Sequence, residues 1–425
     1  MTHPKVLQDA TPRQLEQAAA FNHQDLFNVE ATTLGGTLHS CGGLGWTMAG
    51  MAGGSMIAFP ALREDTAGEH LDALIASYLE YPPKGAGCWS LDPPQPADLG
   101  VRLLARGFQP GWRPCWMGLD LSQIRTEYPV PEGLKILLDN HSSLETIKNL
   151  PYAHVIIPLL PAPDGPGRWA RFVASLRGKV IAQCVVFLTT GELGAAGIYH
   201  VGVVSRFRRM GVGKAVTLAA CLYAREKGYR YAVLNATDAG RRMYEQLGFA
   251  RVGEGWTWWL ITERLLAHPP APRQVVLAEA IGRGDRGALD ALRPSCTPEE
   301  LNTLLTNGMT LMQLAVHCRQ PAAGEWLLAG GAAFTVLDAW ELGWKDRAVQ
   351  RLREHPGQVD QLYGEWNKTL LHVAAERNDE DLVRLALSAR PNLSLKDNAY
   401  QSTALEWARH FGHEAIARLI EGKGK

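Results

Sequence analysis

The stretch RRMGVGKAV, residues 208–216, places two arginines and a lysine around two glycines. The apolar run before it, residues 198–204, predicts a strand, and residues 214–227 carry apolar side chains at helical spacing up to Gly228. The glycines therefore lie in a strand-to-helix turn, where unpaired backbone N–H groups and the positive end of a helix can bind an anion. The stretch predicts a phosphate-binding turn.

Two common phosphate-binding motifs do not fit this turn. A Walker A loop needs glycine where Arg208 stands, and it needs Ser or Thr for Mg²⁺ where Ala215 follows Lys214. The glycine spacing also differs from the GxGxxG fingerprint of dinucleotide-binding domains. The turn therefore indicates a different phosphate ligand.

The pattern Arg208-x-x-Gly211-x-Gly213 resembles the pyrophosphate loop of the Gcn5-related N-acetyltransferase (GNAT) family, which binds acetyl-CoA. The sequence that follows agrees with this resemblance. After the helix come a strand, YAVLNA, a helix that carries YEQLGF at residues 244–249, and an aromatic strand, GWTWWL. Their order and spacing are similar to those of the family. Residues 133–263 are therefore interpreted as a catalytic GNAT acetyltransferase domain.

The resemblance implies a role for each residue of the motif. Backbone groups of residues 201–203 would lie against pantetheine, those of residues 209–214 would surround the pyrophosphate, and Tyr244 would protonate the departing thiolate. A phenol of pKa about 10 can share its proton with a thiolate whose own pKa is about 8.5. Thr237 stands where many members have Asn, and its hydroxyl can still bind the cofactor. The implied cofactor-binding residues are Val201, Gly202, Val203, Arg208, Arg209, Met210, Gly211, Val212, Gly213, Lys214 and Thr237.

The other substrate of such an enzyme is an amine, and its ammonium form must lose a proton before it attacks. At pH 7 an ammonium of pKa about 10.4 is neutral only about once in a few thousand molecules. Strand alternation puts Tyr199 on the face of Val201 and Val203, so Tyr199 is aimed better than His200 unless a β-bulge intervenes. Glu192, in a loop, would act through water. We take Tyr199 as a catalytic candidate beside Tyr244 and leave the base open.

The first block, residues 1–128, predicts strands and helices in alternation, and its LLARGF segment is similar to YEQLGF. No RxxGxG pattern occurs in it, so it is interpreted as a degenerate GNAT-like domain that does not bind cofactor. Tandem acetyltransferases of this kind pair a silent half with an active half. The silent half either forms a wall of the cleft that binds the acceptor amine, or it does no more than bury protein surface. Tryptophans that would line such a cleft or pack in the core are Trp46, Trp89, Trp116, Trp169, Trp256 and Trp258.

The last block, residues 273–425, contains an internal repeat. TLLHVAAERNDEDLVRLAL, from Thr369, aligns with TALEWARHFGHEAIARLIE, from Thr403, and further copies begin at Thr335 and Thr310. A period of about 34 residues with a Thr-x-Leu-His opening resembles ankyrin repeats. Stacked helix pairs of this kind build one elongated core, and their concave surface usually binds proteins.

The composition narrows the class of protein. The 425 residues include 43 Lys and Arg and 43 Asp and Glu, so their charges balance. The chain therefore lacks the net positive charge that a protein binding nucleic acid or an acidic membrane normally carries. No signal peptide or membrane-spanning run is found, so a cytoplasmic location is expected. Seven scattered cysteines without CxxC indicate reduced thiols, and no metal site is predicted.

The sequence therefore predicts an α/β (α+β) tandem GNAT acetyltransferase fold followed by an all-α ankyrin-repeat solenoid. The expected activity is transfer of acetyl from acetyl-CoA to a primary amine by direct attack. A small or peptide-like amine, such as an antibiotic inactivated by acetylation, fits the tandem arrangement, whereas a protein amine fits the ankyrin repeats. A third interpretation is an ankyrin interaction protein with a vestigial enzyme.

Overall fold

The computed structural model describes residues 5–48, 50, 53–155 and 168–423. The chain divides into two compact units, Met1–Pro270 and Ala271–Lys425. The first unit is a mixed α/β structure and the second is helical, which confirms the predicted fold class.

The strands are β1 (Thr37–Cys41), β2 (Leu44–Met48), β3 (Ser55–Ala58), β4 (Ala86–Leu91), β5 (Gln109–Pro110), β6 (Cys115–Asp120), β7 (Leu134–Leu138), β8 (Trp169–Leu176), β9 (Lys179–Leu188), β10 (Ala196–Val203), β11 (Tyr231–Ala236) and β12 (Ala250–Leu260). The helices of the first unit are α1 (Pro12–Thr33), α2 (Ala67–Glu80), α3 (Leu99–Ala105), α4 (Val212–Glu226), α5 (Asp238–Leu247) and α6 (Thr262–Ala267).

Within the described residues, the strands form one sheet in the order β1-β2-β3-β4-β12-β6-β11-β10-β9-β8-β7, with β5 beside β12. Strand β6 belongs to the first predicted domain but pairs with β11, and β12 belongs to the second but pairs with β4. These two strands also pair with each other in the middle of the sheet. Because each half gives its last strand to the other, the predicted domains 1–128 and 133–263 share one compact unit.

The two halves repeat one motif, in which parallel strands are joined by a crossover helix. The first copy is β3-α2-β4-α3-β6 and the second is β10-α4-β11-α5-β12. A parallel pair needs such a crossover, because the chain must return to the same end of the sheet. The alternating pattern of the first block thus corresponds to a real structural repeat.

Helices α1 and α4 cover opposite faces of the sheet. Helix α4 packs into the core that contains Cys184 and Val186, whereas α1 packs near Val185, which points the other way along β9. Helix α1 starts at a capping box formed by Thr11 and Gln14, with Pro12 in its first turn. It contacts strands from both halves, including β3, β6, β10 and β11.

The second unit consists of short helices. They are α7 (Pro272–Arg283), α8 (Arg286–Leu292), α9 (Pro298–Asn302), α10 (Leu311–His317), α11 (Pro321–Ala329), α12 (Val336–Glu341), α13 (Lys345–Glu354), α14 (Leu370–Arg377), α15 (Glu380–Ser388), α16 (Ala404–His410) and α17 (Glu414–Lys423).

The repeated threonines explain the period of this unit. Thr310, Thr335, Thr369 and Thr403 are each the N-cap of a helix and take part in a capping box with the residue three positions later. His372 of the TLLH segment donates from Nε2 to the carbonyl oxygen of Ser402 at 3.0 Å, and its Nδ1 accepts from the Thr369 hydroxyl at 2.8 Å. This histidine therefore joins one repeat to the next.

Among the described residues, no helix combines the length and the apolar character that crossing a bilayer would require.

Candidate active site

Strands β10 and β11 are paired at their start and then diverge, and we call the gap between them the fork. They pair in parallel only at Ala196 with Ala232 and at Gly197 with Val233, and residues 198–203 of β10 have no partner on β11. On its other side, β10 stays paired with β9 as far as Val203. Apart from the Val203 carbonyl oxygen, which accepts a hydrogen bond from Arg208 Nε, the backbone groups that β10 turns towards β11 have no partner among the described residues. They could bind a ligand in the manner of an added strand, as the resemblance implied for residues 201–203.

A β-bulge interrupts β10 next to this fork. Tyr199 pairs with Val185 and Gly202 with Gln183, so β10 has one residue more than β9 between these pairs, and His200 takes a φ of 51°. Our face assignment for the strand is therefore wrong. The extra residue leaves Tyr199 on the α1 face but turns Val201 and Val203 to the core on the α4 face.

The bulge also determines which groups surround the His200 side chain. Its ring centroid lies 5.3 Å from that of Tyr152, and its Nδ1 is buried without a hydrogen-bond partner among the described residues. Burial, together with the neighbouring His154, lowers the pKa of His200 to about 4, so the imidazole is neutral at physiological pH. Glu192 is exposed near Lys5, in the turn that precedes the other end of β10.

The predicted anion-binding turn connects the end of β10 to α4. Gly211 is the N-cap of α4 with a φ of 82°, and Arg209 has a φ of 65°. Within the described part of the chain, the backbone N–H groups of residues 209–214 have no hydrogen-bond partner. Consecutive free amides at a helix N-terminus, beside Lys214, are an arrangement that suits an anion.

Gly213 is the place where three parts of the site converge. A β-carbon at this position would lie 2.9 Å from Met243 Sδ and 3.5 Å from Val203 Cγ2. The end of β10, the start of α4 and helix α5 therefore meet here. Tyr244 follows Met243 on α5, so the structure brings the turn, the strand and the helix of Tyr244 together.

Tyr244 packs against the core of the second half, with its ring 5.9 Å from that of Phe249. Its hydroxyl has no hydrogen-bond partner among the described residues. Burial raises the pKa of Tyr244 above its usual value, and nearby Cys184 and Tyr152 act in the same direction. The phenol therefore stays protonated and can donate.

Two predicted residues have structural contacts of their own. Thr237 is the N-cap of α5, and its Oγ1 accepts a hydrogen bond of 3.3 Å from the N–H of Gly240, which leaves its O–H free to donate. Arg208 Nε donates to the carbonyl oxygen of Val203 at 3.3 Å and so ties the turn to β10.

The segment where the two predicted domains meet lies against the turn at residues 209–214. A β-carbon on Gly211 would be 2.5 Å from the carbonyl oxygen of Pro129, and Lys214 Nζ lies 5.3 Å from the ring centroid of Tyr128. The Tyr128 hydroxyl donates to the carbonyl oxygen of Gln246 at 2.8 Å. The sequence analysis placed only a domain boundary here and so missed these contacts.

Sequence reasoning also missed helix α1. The Tyr199 hydroxyl donates to Asn22 Oδ1 at 2.7 Å, and the His23 ring lies 5.4 Å from that of Tyr199 and 5.7 Å from that of Trp116. Burial raises the pKa of Tyr199 well above its usual value and lowers that of His23 to about 3. Tyr199 is thus a buried hydrogen-bond donor, which argues against a role as proton acceptor.

The equivalent position of the first half is closed. Strands β3 and β4 pair at all four residues of β3, and the N–H of Phe59 continues the ladder to the carbonyl oxygen of Trp89 at 2.7 Å. A further parallel bridge joins Ala61 to Gln95. The turn before α2 carries Asp65 in an ion pair with Arg63 instead of a basic cluster. This geometry supports the prediction that the first half does not bind cofactor.

Among the described residues, no group of three or more His, Cys, Asp or Glu side chains is arranged to hold a metal ion.

Comparison with known families agrees with this geometry. Residues 138–249 match the acetyltransferase (GNAT) family, and residues 339–424 match ankyrin repeats in three copies. The prediction of a GNAT domain is therefore confirmed, and that of ankyrin repeats is confirmed for residues 339–424. No curated protein matches the chain.

Several solved structures are similar to the chain. A GCN5-related N-acetyltransferase from Kribbella flavida is 17% identical over 59% of this chain and 96% of its own, with a TM-score of 0.47. A tandem GNAT protein from the clavulanic acid biosynthesis pathway is 15% identical over 58% and 95%, with a TM-score of 0.39. A GCN5-related N-acetyltransferase from Sphaerobacter thermophilus is 14% identical over 60% and 96%, with a TM-score of 0.37.

Proposed function

From the premise that this chain carries a GNAT-family acetyltransferase domain at residues 138–249, we propose that it transfers acetyl from acetyl-CoA to the primary amine of a small molecule or peptide-like compound. Inactivation of an amine-bearing antibiotic is one reaction of this class. A cytoplasmic location is part of the proposal and is supported by the free state of all seven cysteines.

One observation carries this proposal: the open fork between β10 and β11 leads to a turn whose amides, residues 209–214, have no partner in the part of the chain that the structure describes. Free strand groups suit the amides of pantetheine, and free turn amides suit a diphosphate. The described residues of the first half show neither feature. We therefore expect one acetyl-CoA site per chain.

The residues around the fork suit direct attack by the amine. Tyr244 holds a proton that it can donate to a thiolate as the thioester breaks. Buried Cys184 and Cys221 have raised pKa values and so are poor nucleophiles, which supports transfer without an acyl-enzyme.

His200 is the base that we propose, in place of Tyr199. Its buried Nδ1 lacks a partner and its imidazole is neutral above about pH 4, so it can accept a hydrogen bond from the attacking amine and take the proton as the new bond forms. We expect His200→Ala to lower kcat by about a hundredfold, a typical contribution of general base catalysis.

The pH dependence follows from the lowered pKa of His200. Between pH 5.5 and 8 this imidazole does not change its charge, so the rise of kcat/KM with pH should track deprotonation of the acceptor amine in both the wild type and His200→Ala. His141→Ala, at an exposed position of the same half, is the control. A step in the wild-type profile near pH 6.5 that His200→Ala removes would contradict the lowered pKa of His200, whereas an unchanged kcat in His200→Ala would contradict its role as the base.

The proposed function is tested in two stages. Calorimetry of the full chain with acetyl-CoA should give one site, and absence of binding would favour the vestigial enzyme. Incubation with acetyl-CoA and a library of amines, followed by mass spectrometry, should then find products that have gained one acetyl group. A library that includes lysine peptides separates the substrate classes.

A protein amine is a second candidate acceptor, because the ankyrin repeats are of a kind that binds proteins. Preferential acetylation of lysine peptides or of whole proteins over small amines would favour it.

A further inference from the structure

Helix α1 belongs to the first half of the chain, yet it reaches the fork of the second half. Asn22 is 0% exposed, and its Nδ2 lies 3.2 Å from the carbonyl oxygen of Phe187, 3.0 Å from Thr189 Oγ1 and 3.0 Å from the carbonyl oxygen of Ala195. These acceptors lie at the end of β9 and just before β10. The Asn22 carboxamide therefore ties the two chain segments that meet behind the fork.

The oxygen of the same carboxamide contacts β10. Asn22 Oδ1 accepts the hydrogen bond from the Tyr199 hydroxyl, and it lies so close to Gly197 that any β-carbon there would overlap it. Gly197 is the last residue of β10 that pairs with β11, through Val233. Asn22 thus lies over the face of the sheet at the last residue of β10 that pairs with β11.

The next residue of α1 lies beside the other strand. His23 Nδ1 is 3.5 Å from the side-chain nitrogen of Asn235 on β11, and the ring is packed among Trp89, Trp116 and Tyr199. Two consecutive residues of α1 therefore contact the two strands that border the fork, Asn22 on β10 and His23 on β11.

One buried, hydrogen-bonded side chain joins the end of β9, the start of β10 and Tyr199, and a satisfied buried network of this kind restricts the backbone segments that it joins. We propose that Asn22 and His23 act as a brace that fixes the position from which β10 diverges from β11 and, through Tyr199, holds the bulge at His200. Both are positioning residues. The first half of the chain would thereby supply part of the reacting site.

This inference rests on the proposed function for its catalytic consequence but not for its structural one. Hydrogen exchange of the full-length protein without ligand tests the structural part. We expect Asn22→Ala to accelerate amide exchange at residues 196–203 at least tenfold, because the carboxamide bonds that fix the start of β10 are lost. Ile57→Ala, a buried position of β3 on the opposite face of the sheet, is a destabilised control that should leave these amides unchanged.

Kinetics test the catalytic part. Asn22→Ala should lower kcat at least tenfold towards the best amine of the library, while the Kd for acetyl-CoA stays within threefold because the turn at residues 209–214 is intact. Ile57→Ala should lower thermal stability but keep kcat. Tyr199→Phe, which removes only one hydrogen bond, replaces Asn22→Ala if that variant does not fold, and it should lower kcat in the same manner.

The outcomes separate the two proposals. If the wild type does not bind acetyl-CoA, the proposed function fails, and the exchange measurement still tests the brace. If folded Asn22→Ala, or Tyr199→Phe in its place, keeps both wild-type exchange at residues 196–203 and wild-type kcat, the brace is overturned.

Discussion

Gly211→Asp is expected to weaken the binding of acetyl-CoA at least a hundredfold, which corresponds to about 2.7 kcal/mol. Gly211 has a φ of 82°, which disfavours any side chain, and a β-carbon there would lie 2.5 Å from the carbonyl oxygen of Pro129. The new carboxylate would also place negative charge among the free amides of residues 209–214, where we propose that the diphosphate binds. Calorimetry of the full chain measures the change.

Gly35→Asp is the matched control for this variant. Gly35 has a φ of 74° and nothing within 4 Å of a β-carbon, and it precedes β1, which is separated from β10 by six strands of the sheet, so it carries the same backbone strain away from the turn. Gly211→Ala separates bulk from charge and should weaken binding less than Gly211→Asp does. Wild-type affinity in Gly211→Asp would exclude the turn from the cofactor site.

Tyr244→Phe is expected to lower kcat tenfold or more while the affinity for acetyl-CoA changes little. The phenol is the protonated group that we assign to the departing thiolate, and the loss of a general acid slows bond breaking. Its hydroxyl has no partner among the described residues, so removing it leaves no buried group unsatisfied and should not disturb the fold. Steady-state rates with the best amine of the library measure the effect.

Tyr223→Phe is the control, because Tyr223 packs against the same core from helix α4. It should keep the wild-type kcat. An unchanged kcat in Tyr244→Phe would remove this tyrosine from the mechanism, whereas a fall in both kcat and affinity would indicate a role in binding.

Local sequence signals predicted the elements of the second half correctly. The glycines at 211 and 213 predicted a turn at the start of α4, because a free helix end and a left-handed backbone are local properties. The repeated threonines indicated the helix starts of the second unit for the same reason.

Sequence reasoning failed where one residue changes the register of a strand. Alternation along β10 predicted Tyr199, Val201 and Val203 on one face, and the bulge at His200 separates them. A bulge depends on the neighbouring strand, since the extra residue is defined only by its pairing with β9. The base that we propose therefore emerged from the tertiary structure.

The sequence by itself determined the GNAT domain, the glycine turn at the start of α4, the placing of Tyr244 after it and the ankyrin repeats, because each depends on residues close together in the chain. Only the tertiary structure decided that the halves exchange β6 and β12, that α1 brings Asn22 to Tyr199, and that the first half is closed where the second is open. The first two of these features join residues more than a hundred positions apart, and the third depends on how each pair of parallel strands is held in the sheet. No local pattern encodes them, since they arise only when the sheet is assembled.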